Sequence, residues 1–207
     1  AVQSETYQIS GSLSIAWLPA FPDFCTEPIA PGCLARLNNA KMQQTIDKQA
    51  AWAIDKAHTS LNFSISHFMI AKVTGHFTDF AGTLTAPAEG FDGADLSLII
   101  QAASINTNEP NRDNHLRTPD FFDVASHPEI RFVSHSFIGK SQNQYAVEGL
   151  LTVNGIEKPI TLSATYNGQF VHPVYKTTIA VFDVSGEVRR PDFNIGNTYP
   201  NAVLGET

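Results

Sequence analysis

An all-β fold, an antiparallel up-and-down barrel with one short helical plug segment, is what this 207-residue sequence predicts. Three observations carry the prediction. Large apolar residues alternate with small or polar ones in segment after segment, the period of a strand with one buried and one wet face. Only RDNHLRTPDFFD at 112–123 interrupts these segments with a helical pattern. Finally, so many amphipathic strands in succession bury their apolar faces most economically by closing the sheet on itself. A two-sheet sandwich is the competing solution.

Residues 6–17 come first, with Tyr7, Ile9, Gly11, Leu13, Ile15 and Trp17 alternating with Gln8, Ser10, Ser12, Ser14 and Ala16. Pro19, Pro22, Pro28 and Pro31 then exclude a regular element from 18–34, because each lacks an amide donor and locks its φ. Residues 35–50 read either as a short helix with Leu37, Met42 and Ile46 on one side or as a polar linker. From Leu61 to His67 the odd positions (Leu61, Phe63, Ile65, His67) are large and the even ones (Asn62, Ser64, Ser66) small and polar. After a turn at 69–72, a strand drawn from 73 to 84 continues the apolar side through Val73, Gly75 and Phe77. The strands that follow, 94–103, 128–137, 144–153, 159–167 and 177–190, keep the same alternation. Asn154-Gly155 between two of them is a strong hairpin turn, since both residues tolerate positive φ.

Counted from Leu61, that makes seven strands, one short of a closed barrel of eight. An open barrel exposes two long edges and wets its interior. Residues 6–17 have the length and alternation to fill the gap, in this molecule or at an edge of a neighbour. The other solution is a strand beyond residue 207, which leaves 6–17 to pair with a partner protein.

Composition narrows the function. Hydrophobic residues at 43% and charged ones at 16% describe a globular chain. A net charge of −7 with no Lys/Arg cluster excludes nucleic acid as a partner, because phosphate binding needs a concentrated basic footprint. No apolar run approaches the ~20 residues of a membrane-spanning helix. The start, Ala-Val-Gln-Ser without an apolar leader, reads as a mature chain after signal-peptide removal. Cys25 and Cys33, in FCTEPIAPGC, are expected to form a disulfide in an oxidising compartment, with a reduced buried pair as the alternative. The seven His are scattered without metal-ligand spacing, so no metal or required cofactor is expected.

Inside the barrel, small residues stand at inward positions of five strands: Gly75, Ala102, Gly149, Ala164 and Gly186. They favour an open apolar channel over a solid core of side chains. The expected ligand contacts are Phe63, Ile65, Phe77, Leu98, Phe121, Phe132, Leu151 and Phe182, with His67 as the polar candidate inside. Roughly ten buried carbons at ~0.8 kcal/mol each would give ~8 kcal/mol, about micromolar affinity. Gly149→Leu is expected to block the channel and leave the fold intact. Arg112, Asp113 and His115 invite a catalytic reading. However, Asp and His two apart do not share a helix face, and no nucleophile motif accompanies them. The structural reading, with Asp113 capping the segment or pairing with Arg112 or Arg117, comes first, and contact with a ligand head group second.

Five blocks in order resemble the YceI-like family of polyisoprenoid-binding, lipocalin-like proteins. They are Trp52-x-Ile54-Asp55-x-x-His58 with Gly75-x-Phe77-x-x-Phe80-x-Gly82; Ser104-Ile105-x-Thr107, Arg112-Asp113-x-His115-Leu116 and Asp120-Phe121-Phe122-Asp123; His127-Pro128-x-Ile130-x-Phe132; Gly149-x-Leu151-Thr152-Val153-x-Gly155; and Arg190-x-Asp192-Phe193-x-Ile195-Gly196. The resemblance covers residues from Trp52 to about Gly205. It implies a lipocalin-like barrel over 51–207, preceded by an extension over 1–50. It also implies a periplasmic or secreted, non-enzymatic carrier of an amphiphile with a long apolar tail, an isoprenoid quinone or polyprenol. The alternative is an interaction module, docked on a larger assembly or self-associated through residues 1–50.

Overall fold

The computed structural model describes residues 6–18, 49–67 and 71–196, the side chains of 66, 67 and 71 excepted. Alternation produces strands where it was read. These are β1 (Thr6–Leu18), β2 (Gln49–Ile54), β3 (Leu61–His67), β4 (Ala71–Phe77), β5 (Phe80–Pro87), β6 (Asp95–Gln101), β7 (Ile105–Asn106), β8 (Glu129–Ser141), β9 (Gln144–Val153), β10 (Ile156–Val171) and β11 (Thr178–Arg189). One helix, α1 (Pro110–Leu116), lies between β7 and β8. Every pairing is antiparallel. The ring β1-β2-β5-β6-β8-β9-β10-β11 returns to β1, an eight-stranded closed barrel, and β3, β4 and β7 prolong β2, β5 and β6 at one end.

β1 closes the ring within the molecule. Along one edge it pairs with β11 without a break from Thr6↔Arg189 to Ala16↔Ile179. Along the other it meets β3 at Gln8–Ser10 and β2 at Ile15–Leu18.

Three expectations are corrected. The strand drawn over 73–84 is broken after Phe77. There the Thr78 amide donates to the Ser104 carbonyl in the turn after β6, at 3.2 Å, and the Asp79 carbonyl accepts from the amide of Gln101 at the end of β6, at 2.9 Å. Gln49 and Ala50, read as the end of a helix or linker, begin β2. The helical stretch at 112–123 is a helix only to Leu116. It starts at Pro110 because the Glu109 carboxylate caps the amides of Asn111 and Arg112. Cys25, Cys33 and residues 35–48 lie outside the described residues.

Asn154 and Gly155 turn β9 into β10 with φ of 52° and 71°, as a two-residue hairpin of this hand requires. In β8 a bulge at His135 reverses which parity faces inward, so Ser134 and Phe137 are both buried. The Ser134 hydroxyl accepts the Leu96 amide at 2.7 Å, supplying an acceptor where the bulge withdraws the backbone.

Candidate functional site: an apolar barrel interior

The interior divides along the barrel axis. At the end where β1 finishes and β11 begins, aromatic side chains fill it. Phe182 stands at the centre, 4.8 Å from Phe91, 5.2 Å from Tyr166, 6.3 Å from Phe137 and 6.4 Å from Tyr145 between ring centroids. Phe91 comes from the β5–β6 connection. Gly90 and Gly93, with φ of 81° and 77°, turn the chain on either side of it so that its ring drops into the barrel. The Gly93 amide bonded to the Phe137 carbonyl and the Asp92 carboxylate on the Gly139 amide hold it there. Burial pushes the Tyr166 phenol above its usual pKa, and Tyr145 adds to the shift.

Towards the opposite end most inward residues are aliphatic and leave a cavity of about 150 Å³, bordered by Leu98, Ile100, Ile130, Leu151, Leu162 and Val184 among others. Among the described residues, the Tyr7 phenol is the only ionisable group of its lining. Phe77 and Phe122, with ring centroids 6.1 Å apart, and Ile195 close the far side. Asn154 secures that closure by donating to the carbonyls of Phe121 and Phe193, at 2.6 and 3.2 Å. Apart from the Tyr7 phenol and the exposed Ser10, Ser60 and Asn62 at its edge, the lining is apolar and suits an apolar group better than water.

Of the expected contacts, Phe63, Phe77, Leu98, Phe132 and Leu151 border the cavity. Ile65 packs against the core outside it, Phe182 belongs to the aromatic half, and Phe121 stacks edge-on against His115 at 5.0 Å while its neighbour Phe122 faces the cavity. The His67 side chain lies outside the described residues. Arg112, Asp113 and His115 do not reach the cavity lining. The Asp113 carboxylate accepts the amide and hydroxyl of Thr107, at 2.8 and 2.5 Å. Arg112 donates to the Thr107 hydroxyl and carbonyl, and His115 approaches Asp120 at 3.6 Å. Asp113 therefore locks the loop before α1 through Thr107 rather than through Arg112 or Arg117. Among the described residues, no group of three or more His, Cys, Asp or Glu side chains is placed to hold a metal ion.

The small inward residues play a different part from the one expected. A Cβ on Gly75 would strike the Phe63 ring, one on Gly186 the Leu162 side chain, and one on Gly149 the Phe132 ring at 2.7 Å and the Val133 carbonyl at 2.5 Å. The space beside these glycines is already occupied by neighbours across the sheet. Gly149→Leu would therefore collide with backbone and damage the fold rather than fill a channel.

A model of the YceI-like domain matches residues 52–207. The chain belongs to the YceI-like family. Protein YceI of Salmonella newport is 36% identical over 148 residues, 70% of this chain and 76% of that one. The solved YceI protein of Campylobacter jejuni superposes with a TM-score of 0.60 at 30% identity, covering 73% of this chain and 88% of that one. BcnA of Burkholderia cenocepacia, 17% identical, shares the fold with a TM-score of 0.54 over 64% of this chain and 98% of that one. β1 precedes the matched range, yet its Tyr7, Ile9, Gly11 and Leu13 border the cavity of this YceI-like barrel.

Proposed function

We propose that this YceI-like barrel binds and carries a lipid with a long apolar tail, of the isoprenoid quinone or polyprenol class, in the periplasm or outside the cell. The apolar cavity, whose one ionisable lining group among the described residues is the Tyr7 phenol, carries the reading. Binding rather than catalysis is what the family and fold support; of the groups that invited a catalytic reading, Arg112 and Asp113 are spent on the loop around Thr107 and His115 lies against Asp120 and Phe121. Both edges of β1 are paired inside the barrel, which removes it as a free strand for a partner protein.

Magnitude limits what the cavity holds as it stands. About 150 Å³ accommodates roughly five groups of the size of a water molecule, at ~30 Å³ each, and hence about five methylenes. At ~0.8 kcal/mol apiece they supply ~4 kcal/mol, near millimolar affinity. Micromolar binding of a longer tail requires the barrel to widen. Organic extraction of the protein purified from its own host, followed by mass spectrometry, tests the reading. A stoichiometric lipid is expected, and a chain that neither carries lipid nor takes up all-trans-retinol would overturn it. Alkylation without reductant tests the oxidising compartment, where Cys25 and Cys33 should yield no free thiol.

A further inference from the structure

We propose that the seam between β1 and residues 55–62 is the portal through which the barrel admits its lipid, and that the ligand's polar end rests there on Ser10, Ser60 and Asn62. The inference rests on the lipid-binding reading above and adds where the wall opens.

The two edges of β1 are built differently. Against β11 the pairing is unbroken from Thr6 to Ala16. On the other edge, Gly11–Ser14 face the turn between β2 and β3 rather than a strand. Only two backbone bonds cross there, from the Ser60 amide to the Ser12 carbonyl at 2.9 Å and from the Asp55 amide to the Ser14 carbonyl at 2.8 Å. Hydroxyl groups do the rest. The Ser14 amide donates to the Thr59 hydroxyl at 3.0 Å, the Ser12 amide to the Ser60 hydroxyl at 3.3 Å, and the Ser14 hydroxyl to the His58 carbonyl at 3.0 Å. Such side-chain bonds exchange with water or with a ligand hydroxyl more readily than a continuous ladder does.

The wall is also thin at this place. Gly11 borders the cavity with no side chain, and a Cβ there would strike the Ser60 carbonyl, so only backbone separates inside from outside. Ser10, Ser60 and Asn62 are the exposed members of a lining otherwise buried or half-buried. A tail too long for the existing cavity needs a wall that yields, and between Gly11 and Ser14 this seam has only two backbone bonds to part. The three polar side chains then offer uncharged donors and acceptors to a hydroxyl or carbonyl at the lipid's end.

Cross-linking decides the matter. Ser10 and Asn62 are register partners across the seam, and Gln8 and Glu187, neither of which borders the cavity, are register partners across the opposite edge. The full chain carrying S10C with N62C, and separately Q8C with E187C, would be oxidised and each linkage confirmed by peptide mapping. Uptake of all-trans-retinol would then be followed by fluorescence. The 10–62 bridge should slow uptake about tenfold or more relative to its reduced form, while the 8–187 bridge leaves the rate unchanged. Equal rates with and without the 10–62 bridge, or equal slowing by both bridges, would overturn the portal. Reduced variants and parent that fail to bind retinol at all would overturn the lipid reading instead, and the portal with it.

Discussion

The same staves build a solid half and a hollow half. Around Phe182 of β11 four aromatic rings from β8, β9, β10 and the β5–β6 connection meet edge to face or tilted. Around Leu98 and Val184 the inward residues are mainly Leu, Ile and Val, and they do not reach across the barrel. Closing a ring of eight strands leaves an interior that side chains just fill if they are large enough. Rings that converge on one centre meet that requirement. In the hollow half the rings of Tyr7, Phe63, Phe77 and Phe122 follow one another in a row instead, and the branched aliphatic residues facing them fall short. Shape and reach, rather than hydrophobicity, separate a core from a binding site here.

Truncations should expose the contrast most strongly. Phe182→Ala removes the centre of the solid half and should cost about 3–5 kcal/mol, whereas Leu98→Ala, already bordering empty space, should cost about 2 kcal/mol or less. Urea unfolding with unchanged m-values reads both, and equal costs would erase the distinction. Gly149→Leu should destabilise by about 1–3 kcal/mol, because its neighbours are the Phe132 ring and the Val133 carbonyl. Wild-type stability together with lost retinol binding would show instead that Gly149 borders open space.

Enlargements sharpen the comparison from the other side. Ala180→Leu, at a fully buried site in the solid half, should cost about 1–3 kcal/mol. Val184→Phe fills the cavity and should change stability by about 1 kcal/mol at most while abolishing retinol uptake. Binding that survives in Val184→Phe would move the ligand elsewhere.

The smallest effect is one of pH. The Tyr166 phenol is held above its ordinary pKa by burial and by Tyr145. Below about pH 10 both folded and unfolded chains keep this proton, and its contribution is constant. As pH rises through about 10, the unfolded chain releases the proton first, so stability falls until the folded phenol also ionises. Tyr166→Phe should flatten that part of the profile, and an unaltered slope would place the shift elsewhere.

Much of this was legible residue by residue. The strands at 61–67 and 144–153 have the boundaries that alternation indicates, because a period of two with one wet face admits few other structures. Phe91 was missed, since loop position outweighed its chemistry. Its signal was an aromatic residue between Gly90 and Gly93, a pattern that turns a side chain back towards the core. The bulge at His135 was invisible because one extra residue changes no local preference.

Sequence alone determined that the chain forms amphipathic antiparallel strands, that they need an eighth, and that residues 6–17 have the form to supply it. These are local properties, written in the alternation of each segment. Only tertiary structure decided which inward residues meet and which face a void. The place beside Gly149 is filled by Phe132, that beside Gly186 by Leu162, and that beside Gly75 by Phe63. Whether a glycine opens a cavity depends on the side chain opposite, which the register between strands selects and no single strand can specify.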